Sequence, residues 1–112
     1  TLLPPVIGKL TELKELNLNK NLLSSLPAEI GNLKHLQTLT LRQNGLKSLP
    51  TNVGSLTELE TLDLALNMLT VLPSEVAYMQ KLKKLVLVGN EISSKEQQRI
   101  KTLLPNTDIT FE

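Results

Sequence analysis

Residues 59–69 read Leu59-Glu60-Thr61-Leu62-Asp63-Leu64-Ala65-Leu66-Asn67-Met68-Leu69. Apolar and polar residues alternate across Leu62-Asp63-Leu64, as they do across Leu16-Asn17-Leu18. That period of two predicts a short strand with its leucines facing inward. The same stretch recurs every 23 residues. Leu13, Leu36, Leu59 and Leu82 form one column, Leu16, Leu39, Leu62 and Leu85 a second, and Leu18, Leu41, Leu64 and Leu87 a third. Asn21, Asn44, Asn67 and Asn90 follow at the same interval, and then Leu23, Leu46, Leu69 and Ile92. The second half of each period is also in register. It carries Leu-Pro at Leu26-Pro27, Leu49-Pro50 and Leu72-Pro73, then Ile30, Val53 and Val76, then Gly31, Gly54 and Ala77, then Leu33, Leu56 and Met79. A repeat of this fidelity decides the architecture before any single residue is weighed.

One strand per period, stacked at about 4.8 Å, builds a parallel sheet along one side of a solenoid. The chain then has to turn inside each coil, where backbone groups lose water. A buried Asn amide, with two donors and an acceptor, can satisfy such groups in its own turn and in the neighbouring one. That task falls to the structural column Asn21, Asn44, Asn67 and Asn90. Pro27, Pro50 and Pro73 open the return segment, and Gly31 and Gly54 are expected to permit a tight bend there. Ala77 breaks that column, which predicts a third return segment that bends differently and more helically.

The template L-x-x-L-x-L-x-x-N-x-L resembles the leucine-rich repeat. The L-P-x-x-I-G-x-L half is similar to the 23-residue class of bacterial, plant and Ras-associated repeat proteins, over Leu2 to Ile92. The implied fold is α/β: a leucine-rich repeat solenoid, a curved horseshoe segment with a parallel sheet on the concave face and a C-terminal helix-plus-strand cap. Residues 1–112 form one domain, with a partial repeat at 1–12, four in-register repeats at 13–92 and the cap at 93–112. Leu3-Pro4, Ile7-Gly8 and Leu10 align with Leu26-Pro27, Ile30-Gly31 and Leu33, so the chain starts inside a repeat. With no initiator Met, this predicts further residues before Thr1. Ser93-Ser94-Lys95-Glu96-Gln97 reads as a capping box, Ile100, Leu103 and Leu104 recur at helical spacing, and Pro105 stops the helix. Asp108 to Glu112 alternates again and predicts a final strand. The wording Glu-Gln-Gln-Arg-Ile-Lys-x-Leu-Leu-Pro-Asn resembles the C-terminal cap of small repeat proteins of spirochaetal pathogens.

Composition removes several classes of function. The chain has 112 residues, room for one small core. Twenty-seven are Leu and only Tyr78 and Phe111 are aromatic, an imbalance that a repeat of leucine columns accounts for. A net charge of +1 builds no broad positive field for nucleic acid. No apolar run approaches the ~20 residues that cross a bilayer. The absence of Cys excludes disulfides and thiolate metal sites.

Catalytic chemistry has little to stand on. His35 is the only histidine and has no carboxylate in its local pattern, so it reads as a solvated surface residue. A hydrolase would have to use Glu15 or Asp63, two repeats and about 10 Å apart by strand spacing. Gly89 to Lys95 follows a strand and precedes a helix, as a phosphate loop does, but Ser94 and Glu96 stand where Gly and Ser/Thr belong. Lys95, Arg99 and Lys101 on the cap helix are explained by the amphipathicity any cap needs. No catalytic residue, metal ligand or cofactor is therefore expected.

The expected site is the concave face, for a protein ligand. Its outward columns are Glu15, Thr38, Thr61 and Lys84; Asn17, Thr40, Asp63 and Val86; and Asn19, Arg42, Ala65 and Val88. Lys20, Gln43, Leu66 and Gly89 lie beside them. The first two repeats are polar, whereas Ala65, Leu66, Val86 and Val88 gather at the far end, rimmed by Asp63, Arg42 and Lys84. An apolar cluster with a charged rim suits a protein partner, although Val is also simply a good strand former. The chain is expected to be monomeric, with end-to-end association through Leu2, Leu3, Ile7 and Leu10 as the alternative. The spirochaetal resemblance implies export or surface display and recognition of host proteins. The Ras-associated resemblance implies instead an intracellular scaffold or regulator.

Overall fold

The computed structural model describes residues 2–112. Five three-residue strands, β1 (Glu15–Asn17), β2 (Thr38–Thr40), β3 (Thr61–Asp63), β4 (Lys84–Val86) and β5 (Asp108–Thr110), make one parallel sheet in chain order. Pairing is in register, with Leu16, Leu39, Leu62, Leu85 and Ile109 side by side. The ladder continues one residue beyond each strand: the N–H groups of Leu18, Leu41, Leu64 and Leu87 donate to carbonyls of the next coil at 2.7–2.9 Å. The final segment thus adds a fifth strand at the end of the sheet. Its residues follow those of β4 by 24 positions rather than 23.

Each of β1 to β4 is preceded by a 3-10 segment: Pro5–Lys9, Ala28–Asn32, Thr51–Ser55 and Ser74–Tyr78. Pro4, Pro27, Pro50 and Pro73 enter these segments with φ between −67° and −73°, the angle their rings impose. Their carbonyls accept from the N–H groups of Ile7, Ile30, Val53 and Val76 at 3.1 Å, closing the turn. Ile30 and Val53 then reach the core beside Leu33, Leu36, Leu56 and Leu59, all essentially inaccessible to solvent. The leucine columns of both halves of the period meet there as one continuous core.

Gly31 and Gly54 do not serve a bend, because neither has a positive φ. They allow the 3-10 segments to nest. A Cβ on Gly31 would lie 2.6 Å from the Asn52 carbonyl oxygen, and one on Gly54 would lie 2.7 Å from that of Glu75. Ala77 sits in the last 3-10 segment, which is followed by the helix α1 (Ser94–Leu103) rather than another such segment, so its methyl has room. The segment Ser74–Tyr78 has the same 3-10 conformation as the others, contrary to the expectation of a more helical bend.

The capping box is only half formed. Ser93 is the N-cap and its Oγ accepts from the Glu96 N–H at 3.2 Å. The Glu96 carboxylate does not return to Ser93. It is buried under the helix, where Oε2 accepts from the Leu72 N–H at 3.0 Å and from Arg99 at 2.8 Å. Arg99 also donates to the Leu72 carbonyl and to Ser74 Oγ, both at 2.9 Å. The helix therefore takes over the hydrogen bonds of the third Leu-Pro corner. At the opposite end, β1 is an open edge: Leu16 and Leu18 are half-buried, while Leu2, Val6 and Leu10 are exposed.

Candidate protein-binding face

The turn after each strand is built around the asparagine column, and the ladder it makes runs backward along the stack. Asn67 Nδ2 donates to the carbonyls of Leu41 and Leu64, both at 2.9 Å, while its Oδ1 accepts from the Leu46 N–H at 3.1 Å. Asn44 bonds Leu18, Leu41 and Leu23 in the same way, and Asn90 bonds Leu64, Leu87 and Leu69. Each amide thus ties its own turn to the coil before it. Asn21 stands at the open end, is exposed, and makes one side-chain bond, to the Asn19 carbonyl at 3.0 Å. Asn67 is buried and Asn44 and Asn90 are partly buried, so Asn21 alone departs from the burial expected of the column.

At the next step of the turn the backbone becomes left-handed at Lys20, Gln43, Leu66 and Gly89, with φ of 58°, 55°, 60° and 77°. The row faces outward, and only one of its members is the residue that favours this conformation. Gly89 has a further reason to be glycine. A Cβ there would lie 2.5 Å from Leu66 Cδ2, so the Leu66 side chain lies over Gly89. Leu66 is 45% exposed, a large apolar side chain at a position the core does not use.

The five strands carry the expected columns onto one face, in rows Glu15, Thr38, Thr61, Lys84 and Asp108, then Asn17, Thr40, Asp63, Val86 and Thr110. Asp108 and Thr110 are additions to the face as read from sequence. The weaker Thr107–Phe111 pattern does show the alternation but not its parallel register. Several members are committed to the scaffold. Asn17 Oδ1 accepts from the Asn19 N–H at 3.0 Å and Asp63 Oδ1 from the Ala65 N–H at 3.1 Å, while Asn19 Oδ1 accepts from the Arg42 N–H at 2.7 Å. Val86 and Val88 are partly exposed, Lys84 and Glu15 exposed.

Ala65 corrects the sequence reading: it is 0% exposed and contributes no accessible surface to the apolar end. Arg42 stands beside it on the preceding coil and reaches toward Asp63, whose Oδ2 accepts from Nη1 at 2.8 Å. The Asp63 side chain is 15% exposed and both its oxygens are occupied, whereas Arg42 keeps free donors at 43% exposure. Thr40 Oγ is buried without a hydrogen-bond partner, on the floor between Asn17 and Asp63.

Chemistry on the flanks is sparse. His35 Nδ1 lies 3.4 Å from Glu58 Oε2, an exposed contact one repeat away that the shared column of residues 35 and 58 could have signalled. Among the described residues no group of three His, Asp or Glu side chains is arranged to hold a metal ion. No helix among them is long and apolar enough to cross a membrane.

A family model for a leucine-rich repeat region matches residues 5–106. The chain belongs to the leucine-rich repeat family. A solved leucine-rich repeat protein of Leptospira interrogans superimposes with a TM-score of 0.97 at 43% identity, over 99% of this chain and 28% of that one. The spirochaetal resemblance of the cap is thereby carried by nearly the whole chain, which spans well under a third of that relative's length. The plant peptide hormone receptor RGFR1, solved in complex with RGF2, matches with a TM-score of 0.76 at 32% identity, over 82% of this chain and 15% of the receptor. A plant ice-binding protein matches with a TM-score of 0.76 at 30% identity, over 97% and 36% of the two chains. A search of curated proteins gives no match. The parallel sheet of this chain is the sheet of a leucine-rich repeat solenoid.

Proposed function

We propose that the chain is a non-enzymatic protein-interaction module that takes a protein ligand on its concave sheet. The observation that carries this reading is Leu66, exposed at a left-handed turn position where an apolar side chain serves neither core nor backbone. Half-exposed Val86 and Val88 stand beside it, and Arg42 and Lys84 supply unsatisfied donors at the rim. Apolar centre and charged rim are the ordinary anatomy of a protein interface. The carboxylates that a hydrolase would need are otherwise engaged: Asp63 is held by Arg42 and the Ala65 N–H, and Glu15 lies two strands away in another column. The ice-binding neighbour suggests a different occupation, but an ice face is a lattice and calls for one side chain repeated through the stack. The rows Glu15-Thr38-Thr61-Lys84 and Asn17-Thr40-Asp63-Val86 carry none through the stack, the pair Thr38 and Thr61 being the one recurrence.

Five strands give a face about 19 Å long at 4.8 Å per strand, which suits a small epitope or a contact strengthened by avidity. The spirochaetal relationship favours a secreted or surface-displayed protein and a host ligand, in adhesion or virulence. The test is a pull-down with the wild-type chain and with Leu66→Asn/Val88→Glu, using host serum and matrix proteins in one arm and cell lysate in the other. Asn tolerates the left-handed turn, so circular dichroism is expected to show an unchanged fold. A protein retained by wild type and lost with the variant is the expected result, with the serum and matrix arm as its source. Equal retention would move the site off this end of the sheet, and a ligand found only in the lysate would favour an intracellular scaffold.

A further inference from the structure

On the flank where the 3-10 segments lead into the strands, the third coil is cut short. Ser55 stands where the coils on either side carry Asn32 and Tyr78, and Thr57 where they carry Lys34 and Gln80, while Lys81 follows on the fourth coil. The result is a saddle of about 600 Å³, with a floor of small residues and walls of long ones. Lys34, Thr57 and Gln80 occupy one column of the repeat, so the gap is a substitution pattern within a regular stack rather than a break in it.

The lining has one sign of charge. It contains two lysines, two hydroxyls, an amide and a phenol, and no carboxylate. Of the neighbouring acids, Glu58, one coil from Lys81 in the same column, contacts His35 at 3.4 Å, and Glu60 lies 3.5 Å from Lys83. Among the described residues neither Lys34 nor Lys81 forms an ion pair within 4 Å. Two ammonium groups without an ion pair within 4 Å, on opposite walls over a hydroxyl floor, match a compact multivalent oxyanion. The space exceeds what one such ion fills, and the exposed Tyr78 ring offers an apolar wall for whatever carries it.

We propose that this saddle binds a phosphate monoester. The oxyanion sits between the ammonium groups of Lys34 and Lys81, Ser55 and Thr57 donate from the floor, and the esterified group lies against Tyr78. A phosphate monoester is mostly dianionic above its second pKa of about 6, which gives both lysines a counter-charge. The site is separate from the concave face and stands whether or not that face binds a protein.

The test is an amide NMR titration of the whole chain at about pH 7.5, where the dianion predominates, with phenyl phosphate, inorganic phosphate and phenol as separate probes. Phenyl phosphate is expected to give saturable shifts at Gly54, Ser55 and Thr57, and phenol none. Binding is expected to weaken at least tenfold in Lys34→Gln/Lys81→Gln, and to weaken with added salt. Both lysines are exposed, so unchanged spectra elsewhere would certify the fold of the variant. Lys83→Gln, which removes an exposed lysine outside the saddle, is expected to bind as wild type does. Absence of saturable shifts at Gly54 to Thr57 would overturn the proposal. So would an equal loss in Lys83→Gln, which would mean diffuse attraction. The two lysines also follow the carbonyl ends of 3-10 segments, where a cation has a purely structural use. A double variant that melts lower but binds unchanged would assign them that role instead. Inorganic phosphate binding as tightly as phenyl phosphate would overturn the ester and the part given to Tyr78.

Discussion

Replacing Asn67 with Ala tests the reasoning behind the whole stack. The side chain is 7% exposed and serves four backbone groups on two coils, the weakest being the Ala65 carbonyl at 3.3 Å, which the Gln43 N–H also serves. They are not equally dependent on it. The Leu41 carbonyl also accepts from Asn44 Nδ2 at 3.0 Å, and the Leu64 carbonyl also accepts from Asn90 Nδ2 at 2.9 Å. Both keep a partner when Asn67 is truncated. The Leu46 N–H has no other recorded acceptor, and Leu46 is fully buried. Orphaning that donor costs about 1–3 kcal/mol, and weakening the two shared carbonyls adds roughly 0.5 kcal/mol each, for a total near 2–4 kcal/mol. Against an overall stability of about 5–15 kcal/mol for a domain, that loss is large.

Asn21→Ala supplies the internal control. It removes the same atoms, but from an exposed residue with a single bond, so about 0.5 kcal/mol or less is expected. Urea unfolding followed by circular dichroism at 222 nm measures both. The two variants are expected to shift the midpoint without changing the slope. Equal costs at Asn21 and Asn67, or a cost below about 0.5 kcal/mol at Asn67, would refute the account of the ladder. Asn67→Asp is expected to be at least as damaging as Ala, because an oxygen would then face the Leu41 and Leu64 carbonyls.

Gly54→Ala is expected to cost about 1–3 kcal/mol through overlap with Glu75, while Gly45→Ala, whose Cβ would meet only the Leu23 carbonyl at 3.6 Å, is expected to be neutral or mildly stabilising; urea melts separate them. Thr40→Val, which replaces a buried hydroxyl lacking a partner by a methyl, is expected to raise stability by roughly 0.5–1 kcal/mol in the same assay. Glu96→Ala is expected to cost about 2 kcal/mol by orphaning the Leu72 N–H and leaving Arg99 without its carboxylate. Its signature would be faster amide exchange across Ser94–Leu103 than across β2 and β3.

The period of 23 made most of this architecture legible, because every core column repeats and an in-register column has only one way to stack. What escaped the reading lies where neighbouring coils meet. Gly31 and Gly54 suggested backbone freedom, whereas the constraint is the approach of Asn52 and Glu75 from the next coil. Ala65 was placed on the surface by strand alternation alone, yet a methyl in a row between Arg42 and Val88 is fully buried. The half-formed capping box failed for a related reason. Glu96 had a second suitor in the Leu72 N–H, 24 residues earlier, and a buried backbone donor outweighs an exposed one. The parallel register of β5 was hidden because its interval differs by one and Ile109 and Phe111 replace leucines.

The division of labour between side chains bears on how a ligand site can arise in such a stack. Leucine columns and the asparagine ladder fix every coil from the inside, so outward positions are released from any duty to the fold. Asn17, Asn19 and Asp63 show that the release is incomplete: part of the concave face is spent on closing the turns beneath it. Residues with such duties say little about a ligand, whatever their polarity. Information resides instead where a side chain contradicts the needs of its backbone. Leu66 does so, as the exposed Leu22 does at φ 55°, and Lys20, Gln43 and Gly89 show that the left-handed turn at Leu66 accepts polar residues or none at all. A solenoid that keeps an exposed leucine there, over a glycine that makes room for it, has its most informative surface at that point of the sheet.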